Sequence, residues 1–169
     1  MKMYSKIFLL ILLVIPVADT FAAQQDYCSQ GDGTAVLFLI DRTSAFDDQD
    51  KISFANGVES LFKQLKTGDR LVIHTLTEDF SGSKKIFDAC RPGCRDQGLM
   101  SGLLSQCRAS VAKVDERRYV REVLTSVKPM IANQEEHPNS EIIETIAFMV
   151  QDYEQYKPAR LVIFSDMIE

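Results

Sequence analysis

Two apolar runs that each lead into an acid constrain this 169-residue chain more than any other feature. Ala35-Val-Leu-Phe-Leu-Ile40 stops at Asp41, and Leu161-Val-Ile-Phe164 stops, after Ser165, at Asp166. Short continuous apolar runs suit strands buried on both faces, as in a parallel sheet covered by helices. The carboxyl ends of the central strands of such a sheet line one crevice, and ligands bind there. Aspartates at two of those ends place two carboxylates in one cleft.

The intervening sequence supplies the helices. Asp47 or Asp48 is positioned to cap a helix from about Asp50 to Lys66, with Ile52, Ala55, Val58, Leu61, Phe62 and Leu65 on its apolar face. Thr67-Gly68 stops it, Arg70 to Leu76 reads as a second strand, and Lys84 to Asp88 as a short edge strand. Residues 89–110, with three cysteines, three Gly and Pro92, read as an irregular stapled insertion. A long helical pattern runs from Val111 to Asn133, with Val120, Val123, Leu124, Val127 and Ile131 as its buried stripe. Asn139 or Ser140 then caps a helix reaching about Tyr156, with Ile142, Ile143, Ile146, Met149, Val150 and Tyr153 inward. Strand and helix alternate as in an open α/β sheet. The chain stops three residues beyond Asp166, so the expected domain is C-terminally truncated, with its outer strands missing.

The first 22 residues have the layout of a secretory signal. Lys2 and Lys6 precede an apolar stretch from Ile7 to Ala18, and Thr20-Phe21-Ala22 offers small residues at a cleavage point. That stretch is shorter than the ~20 residues of a membrane span, so no stable membrane insertion is expected after cleavage. The domain is then 23–169, exported to the periplasm or secreted. Without the leader, 17 Lys and Arg face 23 Asp and Glu. Such a surface has no basic surplus for phosphates, which argues against nucleic acid as the partner. Cys28, Cys90, Cys94 and Cys107 all lie in the exported part, where disulfides form. Four cysteines allow three pairings, of which Cys90–Cys94 with Cys28–Cys107 is the expected one. Zinc is the rival reading, weakened by the lack of a second close pair and by distant histidines.

Asp41-Arg42-Thr43-Ser44-Ala45 follows the first buried strand, Asn139-Ser140 precedes a helix, and Phe164-Ser165-Asp166 ends the last strand. In order and strand context these residues resemble the metal-ion-dependent adhesion site of von Willebrand factor A domains. The match holds at Asp41, Thr43, Ser140 and Asp166 and fails at Ala45, where the family carries a hydroxyl. The resemblance covers residues 34–169, with 89–110 inserted. It implies a Rossmann-like three-layer sandwich around a mostly parallel sheet, a binding role rather than catalysis, and a protein partner whose carboxylate completes a Mg²⁺ or Mn²⁺ shell. The chemistry stands without the name: Mg²⁺ takes about six oxygens, from carboxylates, hydroxyls and retained waters.

Other classes of function compete with this reading. Asp41 at a strand end also fits the nucleophile of a haloacid-dehalogenase-like phosphatase, with Asp166 holding Mg²⁺. Thr43 stands where those enzymes usually carry an acid, and a lysine for the phosphate is lacking. A metal-free scaffold needs only that Asp41 and Thr43 satisfy loop amides and that Ser140 caps a helix. Asp47-Asp48-Gln49-Asp50 lacks the spacing of a calcium loop and reads as helix N-terminal acids.

Overall fold

A computed structural model describes residues 26–30, 32, 34–43, 45–77, 82–94, 107–132, 141–156 and 158–165. The proposed leader, Ser140 and Asp166 lie outside these residues. Strand β1 is Ala35–Asp41, followed by helix α1, Asp48–Gln64, and strands β2, Arg70–Leu76, and β3, Lys84–Cys90. Helices α2, Ala109–Ala132, and α3, Ile142–Asp152, lead through a short 3-10 turn to strand β4, Pro158–Phe164. These strands form one mixed sheet of order β3-β2-β1-β4. β1 runs parallel to β2 and β4, and β3 is antiparallel to β2. The protein is therefore α/β, as its alternating pattern requires.

β1 is buried at every position because both of its faces are covered. Val36, Phe38 and Ile40 pack with Phe54, Val58 and Leu61 of α1 and Tyr119, Val123 and Val127 of α2. Ala35, Leu37 and Leu39 pack with Met149 and Tyr153 on and just after α3. This is the two-residue side-chain period of a strand acting on two cores at once. β3 has one bulge, where Ile73 pairs with Phe87 and His74 with Lys85. The extra residue, Ile86, joins Phe87 on the α1–α2 side.

The helices sit slightly rotated from their sequence patterns. α1 turns Phe54, Val58, Leu61 and Leu65 inward and leaves Ile52 outside. Phe54 decides the rotation, since its ring stacks on Phe38 and meets Phe164 edge-on, with centroids 5.9 and 4.8 Å away. Leu124 of α2 is likewise half-exposed, and Tyr119 takes a core place instead. α3 is shorter than its pattern, and Ile143 is 78% exposed while Thr145 is fully buried. Its N-cap is Glu141, which makes no side-chain capping bond, and the expected caps Asn139 and Ser140 lie outside the described residues.

The expected disulfide pairing is corrected. Cys28 bonds Cys90 and Cys94 bonds Cys107, which also rules out a zinc site built on these thiols. Backbone hydrogen bonds explain the outcome. The Arg91 N–H donates to the Asp69 carbonyl at 2.8 Å, and the Arg91 carbonyl accepts from Gly68 N–H at 3.0 Å. The chain thus runs on past Cys90 along the α1–β2 turn rather than curling back toward it. Gly68 permits this turn with φ of 82°. Tyr27, Cys90 and Ala112 form a small cluster joined by Cys94 and Cys107, so both bridges lie at one corner of the sheet. Ala89 and Cys90 belong to β3, and residues 95–106 of the expected insertion lie outside the described residues. No helix among the described residues is long and apolar enough to cross a membrane.

Candidate functional site

Asp41 is the last residue of β1 and only 2% exposed. A buried carboxylate must be hydrogen-bonded, and the chain arranges this locally. Oδ1 accepts from the Thr43 amide at 3.0 Å and from the Thr43 hydroxyl at 2.7 Å. Oδ2 accepts from the Ser165 hydroxyl at 2.9 Å, just past the end of β4. Arg42 N–H still donates to the Leu76 carbonyl at 3.1 Å, so the loop leaves β1 while tied to β2. Phe46 then drops its ring edge-on against Phe164, centroids 5.0 Å apart. Asp47 and Asp50 complete a reciprocal capping box that starts α1. The acids at 47–50 are therefore helix-start residues.

Of the four residues expected to hold a cation, Asp41 and Thr43 are brought together, while Ser140 and Asp166 lie outside the described residues. Ala45 is exposed and offers no hydroxyl. Ser165 is the residue that sequence reasoning passed over. Its place follows from the register: Ile40 pairs with Phe164 in parallel, so Asp41 and Ser165, the residues after that pair, lie side by side. The start of α3 is at the same end of the sheet. Buried Thr145 donates back to the Glu141 carbonyl at 2.8 Å, and its hydroxyl lies 3.5 Å from that of Ser83, just ahead of β3.

The donor set suits a hard cation. A hydroxyl that donates its proton to a carboxylate keeps two lone pairs for a metal. Thr43 and Ser165 both donate to Asp41, which leaves two neutral oxygens and one carboxylate within one small volume. Among the described residues, no group of three or more His, Cys, Asp or Glu side chains stands together.

A second polar cluster, unforeseen in the sequence, lies toward the other end of β2. Asp88 accepts from Arg70 Nε at 2.6 Å and Nη2 at 3.0 Å, and from Lys85 Nζ at 2.9 Å. The Arg70 guanidinium stacks over Tyr156 at 3.8 Å, and the Tyr153 hydroxyl lies 3.4 Å from Asp88. Burial alone would raise the Asp88 pKa, but hydrogen bonds and charge from Arg70 and Lys85 outweigh it and hold the carboxyl below its ordinary value. This network fastens the turn after α3 to β2 and β3. His74, on the same face, is 6% exposed, and its Nε2 makes no hydrogen bond among the described residues. Burial, with the neighbouring Lys85 charge, pushes the His74 pKa down.

No protein-family model matches the chain, and no curated protein or solved structure matches it.

Proposed function

We propose that this protein is an exported binding module of the von Willebrand factor A type, folded as a Rossmann-like three-layer sandwich. Its site is the crevice at the carboxyl ends of β1 and β4. The observation that carries the reading is the Asp41 carboxylate, fixed by Thr43 and Ser165 so that the loop after β1 and the end of β4 bring their oxygens together. Asp41 and Thr43, with Ser140 and Asp166, would hold Mg²⁺ or Mn²⁺, and water would stand in for the hydroxyl that Ala45 lacks. The cation supplies an electrophilic anchor for a carboxylate of a protein partner. Asp41 contributes the negative charge, and Thr43 and Ser165 keep its orientation. The paired cysteines agree with an oxidising compartment, periplasmic or extracellular.

The test is thermal unfolding of the oxidised chain with and without Mg²⁺ or Mn²⁺. The expected result is a cation-dependent rise in Tm that Asp41→Ala abolishes and Thr43→Ala weakens. A variant that unfolds in the absence of metal is uninformative about ligation, so Asp41→Asn, which keeps acceptor and shape, is measured beside it. No rise in wild-type Tm at millimolar cation sinks the metal site and leaves a metal-free scaffold. Turnover of a generic phosphate ester, lost in Asp41→Asn, favours the phosphatase instead.

A further inference from the structure

A large concavity lies away from Asp41, between α1 and α2. It is a groove of about 1150 Å³. Its apolar lining comes from Phe54, Val58 and Phe62 of α1 and from Val120, Val127 and Ile131 of α2. Along α1 it extends from Lys51 to Lys63, which at 1.5 Å per residue is about 18 Å, a little over three helical turns. The groove is an open trough, since Ala55 on one wall is exposed and Leu124 on the other is 50% exposed. Small-molecule pockets enclose most of their ligand. An open trough of this length between two helices has instead the shape that receives an amphipathic helix.

Charge selects the kind of helix. The lining carries Lys51, Lys63 and Lys128 against a single acid, Glu59, in a chain whose net charge is −5. Among the described residues, Lys51 and Lys63 are held by exposed pairs within α1, to Asp48 and Glu59. Such pairs contribute little and exchange readily. Arg91 at one end is committed elsewhere, donating to the carbonyls of Phe62 and Leu65 and to Glu116. Lys128, with Lys51 and Lys63 in their exchangeable pairs, thus flanks an apolar floor.

We propose that the α1–α2 groove docks an acidic amphipathic helix of a partner protein, with apolar residues on the floor and carboxylates against Lys51, Lys63 and Lys128. This surface meets the Asp41 site only at Ala45 and Phe46, at its edge, and does not rest on the cation reading. The test uses the full oxidised chain and a fluorescein-labelled helical peptide of about 14 residues, leucines spaced i, i+3, i+7 and i+10 with flanking glutamates. Fluorescence anisotropy should show saturable, salt-sensitive binding that persists in Asp41→Ala and without Mg²⁺. The charge-reversed peptide, with lysines for glutamates, should bind at least about tenfold more weakly. Leu124→Glu lies on the half-exposed wall, so the fold tolerates it, and it should weaken binding by a similar factor; Lys128→Glu should narrow the preference between the two peptides. Absence of binding at millimolar peptide overturns the proposal. So does equal binding of both peptides, or unchanged binding by both variants. Stoichiometric binding of oleate that displaces the peptide would make the groove a site for anionic amphiphiles, and overturns it too.

Discussion

Tyr119 sits in the core against Phe62 and Phe87, its ring meeting both edge-on. It is 4% exposed, and its hydroxyl makes no hydrogen bond among the described residues. Burial accordingly pushes the hydroxyl pKa up. A buried polar atom without a partner costs about 1–3 kcal/mol. Tyr119→Phe is therefore expected to leave stability unchanged or raise it by about 1 kcal/mol, read from the denaturant midpoint. Phe54→Ala, which removes a ring packed against Phe38 and Phe164, should cost about 3–5 kcal/mol in the same assay. His74 makes the second prediction at this scale. Its pKa is lowered in the fold from an ordinary 6.5, so below that pH the unfolded chain takes up a proton that the native chain resists. Stability falls as the solution is acidified through that region, by up to about 1.4 kcal/mol per pH unit, and levels off below the native pKa. The groups facing His74 are Lys85 and Asp88 of β3 and Asp152 and Tyr153 at the end of α3. Asp88 contributes a separate loss at lower pH, as its carboxyl, held below an ordinary 3.8, is protonated. Urea titrations between pH 5 and 8 should show the His74 slope, and His74→Phe should flatten it; an unchanged slope places the proton elsewhere.

At the scale of elements, the bridges decide how Cys28, ahead of β1, and the α2 start are fixed. Cys28–Cys90 closes a separation of 62 residues and Cys94–Cys107 one of 13. Loop-closure entropy assigns them about 4 and about 3 kcal/mol respectively. Replacing Cys28 and Cys90 with serine should then destabilise the protein more than replacing Cys94 and Cys107, measured by equilibrium unfolding. Mass mapping of the unreduced digest checks the pairing directly, and a Cys90–Cys94 peptide would refute it. The other element-level fastening is the Arg70–Asp88–Lys85 network under Tyr153 and Tyr156. It works because Asp88 pairs with Val72 across the β2–β3 ladder, which sets Asp88 diagonal to Arg70 on one face.

For the molecule as a whole, those bridges are a large share of the total. A domain of this size is stable by about 5–15 kcal/mol, and the two bridges together represent about 7. Full reduction is thus expected to unfold the chain at or near 37 °C, with loss of near-ultraviolet circular dichroism. Retention of a cooperative transition within a few degrees of the oxidised Tm would show that the sheet and its helices suffice. The expectation follows from size: in a single small domain the apolar area buried only narrowly exceeds the conformational entropy lost.

The sequence by itself determined the strands, the helices and their alternation. Apolar runs between 35–40 and 161–164, the glycine after α1 and the capping acids at 47–50 are local signals, and local sterics and hydrogen bonds act on them directly. It also placed Asp41 and Thr43 together, because the amide and hydroxyl of a residue two positions on can reach the carboxylate. The tertiary structure alone decided the rest. Which side of α1 and α3 faces inward depended on where Phe38, Phe164 and the β1 side chains already stood, so Ile52 and Ile143 lost their places to Phe54 and Thr145. Cysteine pairing depended on where the end of β3 and Cys28 stand in space, which no spacing encodes. Ser165 meets Asp41 only through the parallel register of β1 and β4, across 124 positions of chain. Contacts distant in sequence are set by packing, and packing is a property of the folded whole.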